Sequence, residues 1–255
     1  MIRRVALFLL IGALASGCTK RIATPKPDAG IDPHEAWARV LTTHVTETGK
    51  IDFVAVKKNP ADLEAYVAWA AKNGPESTPE AFPTKEAKLA YWLNTYNAMC
   101  MYNAIKNSVL PKSKVRFFAL TKLKIDGKEM SLHALENEVI RKFDEPRIHF
   151  LLNCMVRGCP RLPQIPMKAE TLEVQMDAAA RLFFSEEPRN VELLPQEKVV
   201  RMSSILKFYT EDFVKPKTPA ANLIEYANTL RPADRAIPAD FKVEFIPYDW
   251  TLNQK

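Results

Sequence analysis

Cys159 lies between Gly158 and Pro160, in a Pro-rich stretch that opens at Asn153 and ends at Pro166. Loops after buried elements are where a rigid scaffold places reactive groups. A thiolate needs a nearby base or cation, and an imidazole needs an orienting partner. His149 sits in the apolar run just before this loop, and Glu136 precedes it. Cys159, His149 and Glu136 therefore supply nucleophile, base and orienter for a thiol-dependent hydrolase or acyl transferase. The same residues also fit a plainer set: a small packed Cys, a hydrogen-bonded core His, and a Glu paired with Arg141. Cys154 and Cys159, five apart, open a third route as a disulfide or redox pair, although the spacing is not Cys-x-x-Cys.

Asn94 and Asn97 are three apart, hence neighbours on one helix face. Asn is a poor interior helix residue because its amide competes for backbone bonds, so two within one turn are amides with a task. With Arg141 and Asn153 they form the candidate ligand-binding set. Their alternative use is to tie the backbone of a neighbouring loop. His34, His44, His133 and His149 are dispersed, and Cys-x4-Cys without a second pair is not a zinc signature. No metal is expected. No phosphate loop, dinucleotide turn or Gly-x-Ser-x-Gly elbow is present, so no cofactor is expected.

The elements that must position these residues are mostly helices. Apolar spacing predicts helices over 34–45, 60–71, 84–107, 131–143, 169–184, 203–209 and 219–230. Thr84, Ser131 and Ser203 are their capping candidates. Short strands are predicted over 49–54, 115–120, 123–125, 148–152, 198–202 and 241–246, with Asp126-Gly127 as a tight turn. With 7 Gly among 255 residues, hairpin-built all-β architecture is excluded. The expected class is α+β, a mostly helical single domain with a small sheet of short strands. The formal net charge is +6, but basic residues are interspersed with acids. Without a block of like charges, no nucleic-acid partner is expected.

At the amino terminus, Arg3 and Arg4 precede the apolar run Val5 to Leu14. The run is too short to span a bilayer, which needs roughly 20 apolar residues, and has the form of an export signal. Cys18, directly after Ala15-Ser16-Gly17, resembles the lipobox of bacterial lipoproteins. The resemblance implies a signal peptide over 1–17, acylation of Cys18 and a membrane partner held through that lipid anchor. Residues 18–33 are polar and Pro-rich and read as a flexible tether. Thr19 rather than Asp after the Cys implies the outer membrane in a Gram-negative cell.

Four segments carry a family resemblance: Tyr91 to Ala98, Ser131 to Arg141, Pro146 to Cys154 leading into Gly158-Cys159-Pro160, and Tyr248 to Asn253. In this order they resemble the DUF547 proteins, a domain of unknown function, over about 34–253. The domain is set at 34–255. The resemblance brings no activity with it. The expectation is a cell-envelope lipoprotein acting as a thiol-dependent enzyme on an envelope peptide or amide. The alternative is a non-enzymatic module binding an envelope ligand or protein.

Overall fold

The structure is a computed structural model that describes residues 19–26, 30–107 and 113–255. Three helices come first: α1 (Pro33–His44), α2 (Phe53–Lys58) and α3 (Ala61–Ala70). Asp32 caps α1 by accepting from the amides of His34 and Glu35, and Asp52 caps α2 through Ala55. Helix α1 turns Trp37, Val40 and Leu41 inward, and Trp37 stacks on Tyr66 of α3 at 5.5 Å.

The next helix, α4 (Lys85–Asn107), is the axis of the fold. Thr84 caps it, its hydroxyl accepting from the Ala87 amide at 3.1 Å. Every residue from Leu89 to Ile105 is buried, so neighbours surround this helix on all sides. Trp92 and Tyr96 are 3% and 2% exposed, the inward placing their spacing predicts.

Two small three-stranded sheets flank the helices. In the first, β1 (Lys20–Arg21) runs parallel to β2 (Thr121–Ile125), and β2 pairs antiparallel with β3 (Lys128–Met130). Asp126 and Gly127 make the turn with positive φ. The Asp126 carboxylate accepts from the Glu76 and Ser77 amides and pins the turn. Strand β1 corrects the reading of this stretch as a free tether. Ile22 donates to the Lys122 carbonyl, and Tyr102 donates to the Ala23 carbonyl. The open edge of β2 offers ladder groups that a short segment satisfies. Cys18 and residues 27–29 lie outside the described residues.

Three expected strands are not strands: 49–54 keeps only isolated bridges at Ile51 before α2 begins at Phe53, and two others are helical turns. Residues Arg116–Leu120 form a wide turn whose Phe117 is buried against α4, where Asn103 donates to the Phe117 carbonyl. The apolar run at 148–152 belongs to a tight helical turn, Pro146–Phe150. Pro146 fixes a helical φ at its start, and Glu145 accepts from the Arg147 amide. A short buried apolar run does not by itself distinguish strand from helix. The predicted helix over 131–143 is present but uneven. Ser131 caps α5 (Leu132–Ala134), a wider turn (Leu135–Val139) follows, and a tight turn (Ile140–Phe143) closes it.

The second half holds α6 (Leu172–Ser185), β4 (Val191–Leu194), β5 (Val199–Ser203), α7 (Ser204–Phe208), α8 (Thr210–Phe213), α9 (Leu223–Leu230) and β6 (Lys242–Ile246). Strand β5 is central, antiparallel to β4 and parallel to β6. One apolar core surrounds α4, and a second packs Phe183, Phe184, Phe213 and Tyr226 beneath this sheet. The turn at 146–150 joins them: Ile148 belongs to the first core and Phe150 to the second. The result is one mostly helical α+β domain. Among the described residues no helix is long and apolar enough to cross a membrane.

Trp92→Ala removes a side chain from a fully enclosed helix. It should cost about 3–5 kcal/mol. Urea unfolding followed by circular dichroism should show a correspondingly lower midpoint. An unchanged midpoint would place Trp92 outside the core.

Candidate thiol site and an adjoining charged cluster

A loop from Asn153 to Pro160 leads off the turn at 146–150, and α4 holds it. The Asn97 side chain donates to the Leu151 carbonyl at 2.9 Å and accepts from the Asn153 amide at 2.8 Å. Asn153 in turn donates to the Pro160 carbonyl and accepts from the Met155 amide, both at 2.7 Å. Met155 takes a left-handed φ of 71° to turn the chain back. The terminal segment closes the other side. Gly158 donates to the Asp249 carbonyl, Arg157 to Thr251, and Asn253 to Met155. A Cβ at Gly158 would lie 2.9 Å from the Tyr248 ring, so only glycine lets that ring come so close.

This enclosure sets Cys154 and Cys159 side by side, sulfurs 2.6 Å apart and both free thiols. Cys159 is 2% exposed, whereas Cys154 is half-buried. The Cys159 sulfur accepts from the Cys154 amide at 3.0 Å, and the Tyr248 hydroxyl lies 3.1 Å away. Burial pushes the Cys159 thiol up. Donation from Cys154, from Tyr248 and from the amides of Val156 and Cys154 outweighs it, and the thiol titrates below its ordinary value. Cys154 moves the opposite way: its bond to Cys159, then burial, raises it well above that value. Burial and the two sulfurs also keep Tyr248 protonated, so its hydroxyl is a donor. Cys159 is thus the more acidic thiol of the pair and Cys154 the less acidic.

His149 and Glu136 do not reach these sulfurs. His149 is 3% exposed, bonds Asp212 through Nε2 at 2.8 Å, and stacks on Tyr209 at 4.0 Å. Glu136 accepts from Tyr96 at 2.8 Å and from the Tyr209 hydroxyl. No hydrogen bond joins Cys159 to either residue among the described residues, so the expected triad is not assembled. Arg141 does not pair with Glu136. It donates to Asp212 and Glu211, both at 2.7 Å, and to Asn137 at 2.9 Å.

The expected ligand amides hold backbone instead. Asn94 donates to the Met167 carbonyl at 2.8 Å and accepts from the Met167 amide and the Trp37 indole. Asn97 and Asn153 bind loop backbone as described. This is the loop-tying role that their poor helix propensity left open. Among the described residues no group of three or more His, Cys, Asp or Glu could hold a metal ion.

Residues 80–184 match the DUF547 family model, described as a protein of unknown function. No curated protein and no solved structure matches the chain. The DUF547 match takes in α4, Glu136, His149 and both loop cysteines. Asp212, Tyr209 and Tyr248, their side-chain partners, lie beyond it. Tyr248 opens a segment that the sequence singles out. Nothing local marks Asp212, which meets His149 across 63 residues.

Two outcomes test this arrangement. Asn97→Ala leaves the buried Leu151 carbonyl and Asn153 amide unpaired, and should cost about 1–3 kcal/mol for each group left without a partner. Thermal unfolding that matches wild type would show that the loop does not depend on it. At Asp212, burial acts upward, but His149, Arg141 and Lys217 overcome it and hold the carboxyl well below the usual carboxylate range. That stabilisation is complete above the unfolded value of about 3.9 and is lost as pH falls toward the folded one. Asp212→Asn should therefore be less stable than wild type at neutral pH, and the gap should narrow below about pH 4. A gap that widens in acid contradicts the ion-pair account.

Proposed function

We propose that this protein is a lipid-anchored component of the bacterial cell envelope whose Cys154–Cys159 pair carries out thiol–disulfide exchange. The carrying observation is the asymmetry of the pair. Cys154 is half-buried at the loop surface, while the enclosed Cys159 sulfur is surrounded by hydrogen-bond donors. The export signal and the lipobox-like Cys18 support the address, an oxidising compartment where disulfides persist. By Thr19, the membrane is the outer one in a Gram-negative cell. The exchange reading is preferred to the hydrolase reading because the two sulfurs bond each other and Tyr248, and no hydrogen bond joins His149 to either sulfur among the described residues.

The exchange runs as follows. A substrate thiolate attacks Cys154 Sγ of the Cys154–Cys159 disulfide. The S–S bond breaks and its electron pair leaves on Cys159 Sγ, where Tyr248 and the loop amides stabilise the thiolate. A thiolate of low basicity leaves faster. A second substrate thiolate attacks the substrate sulfur of the mixed disulfide. The substrate disulfide forms, and Cys154 departs as a thiolate that takes up a proton. Two electrons pass from a substrate dithiol to the protein. A second disulfide compound of the envelope restores the pair by the reverse steps.

Glutathione buffers test this reading. Oxidised glutathione should convert wild type to the internal disulfide reversibly. Cys159→Ser should accumulate a glutathione adduct at Cys154, and Cys154→Ser should form little, because Cys159 is enclosed. Peptide mass spectrometry reads each site. An adduct mainly on Cys159, or no internal disulfide at any glutathione ratio, would overturn the reading.

A further inference from the structure

The segment after Cys18 is docked, and this determines which face of the domain the membrane meets. Lys20–Arg21 lie in register beside Thr121 and Lys122. Only Thr19 separates Cys18 from Lys20, and two steps along the chain reach at most about 7 Å. An acyl anchor on Cys18 therefore leaves no slack between bilayer and sheet. The first sheet must lie at the level of the lipid headgroups.

That sheet is basic where it is exposed. Lys122 and Lys124 alternate with the buried Thr121, Leu123 and Ile125, so both point away from the core. Arg21 pairs in register with Lys122 and shares its face. Lys20 and Lys128, in register with the buried Thr121 and Ile125, are exposed at the strand ends, and Arg116 stands on the turn leading into the sheet. The nearby acids are already paired: Glu129 with Arg21 and Glu76 with Lys128. Asp126 is buried in the turn, bonded to backbone. Val115, 57% exposed beside Arg116, adds an apolar contact.

We infer that this face, β1 to β3 with the turn before β2, lies on a bilayer surface of anionic phospholipid. The inference rests on the anchor at Cys18. Each Lys or Arg near an anionic lipid surface contributes attraction that fades within a Debye length. The lipid on Cys18 holds the chain at the bilayer, and the basic face adds attraction that turns the domain toward it. The pairing also fixes which face of the domain meets the bilayer.

The mature protein, extracted from the membrane fraction and reconstituted into vesicles, tests this. One set is phosphatidylcholine alone and the other contains phosphatidylglycerol. A membrane-impermeant amine reagent labels exposed lysines, read by peptide mass. Lys122 and Lys124 should react at least threefold more slowly in the phosphatidylglycerol vesicles, and high salt should restore their rate. Lys198 and Lys242, on the second sheet, should react equally in both. Lys122→Glu with Lys124→Glu should restore fast labelling at Lys20. Equal rates at Lys122 and Lys124 in both vesicles, on a chain whose intact mass shows the acyl group, overturn the face and leave the anchor. An intact mass without an acyl group overturns the anchor and this inference with it.

Discussion

The pairing of the Asn97 amide with the Leu151 carbonyl and the Asn153 amide is the constraint on which the site depends. Helix α4 is enclosed from Leu89 to Ile105, so a polar side chain on it must find a partner in the neighbouring chain. Asn97 finds the backbone where the chain leaves its tight turn. Asn153, fixed by that bond, reaches on to Pro160 and Met155. The position of both sulfurs follows from this relay. Gly158 then admits the Tyr248 ring, and the terminal segment closes the loop from outside.

Polar chemistry near α4 separates into two clusters. One is the pair of thiols with Tyr248. The other runs from Glu136 through Tyr209, which stacks on His149, to Asp212, Arg141 and Lys217. His149 is orientated by Asp212 on α8, which holds its Nε2. A buried Asp bonded to three cationic or donor groups holds two halves of the fold together. It is strongly destabilising to break, because removing one partner leaves a charge uncompensated. The thiol cluster depends instead on neutral donors: a phenol, a thiol and backbone amides.

Much of this fold was legible in the chain. The span of α4, its Thr84 cap, the Ser131 cap and the Asp126-Gly127 turn follow from local rules that the structure obeys. The strand at Lys242–Ile246 alternates as a strand should. What was not legible depends on distant contacts. The run containing Ile148 and Phe150 is apolar because it bridges two cores, and apolarity alone does not determine its conformation. The Arg116–Leu120 turn satisfies its carbonyl from Asn103. Lys20–Arg21 look like tether until the open edge of β2 is present to receive them. At the site, the residue types were readable but their pairing was not. Cys159 meets Tyr248 across 89 residues, and His149 meets Asp212 across 63.

The central claim is that the Cys159 thiolate is stabilised by Tyr248 and the loop amides, not by His149. The alkylation rate of Cys159 against pH, read by peptide mass on folded protein, tests it most directly in wild type, Tyr248→Phe and His149→Gln. Wild type should titrate below the ordinary thiol value. Tyr248→Phe should move the midpoint upward, because a donor to the thiolate is lost, while His149→Gln should leave it in place. A midpoint that moves with His149 and ignores Tyr248 would contradict the account.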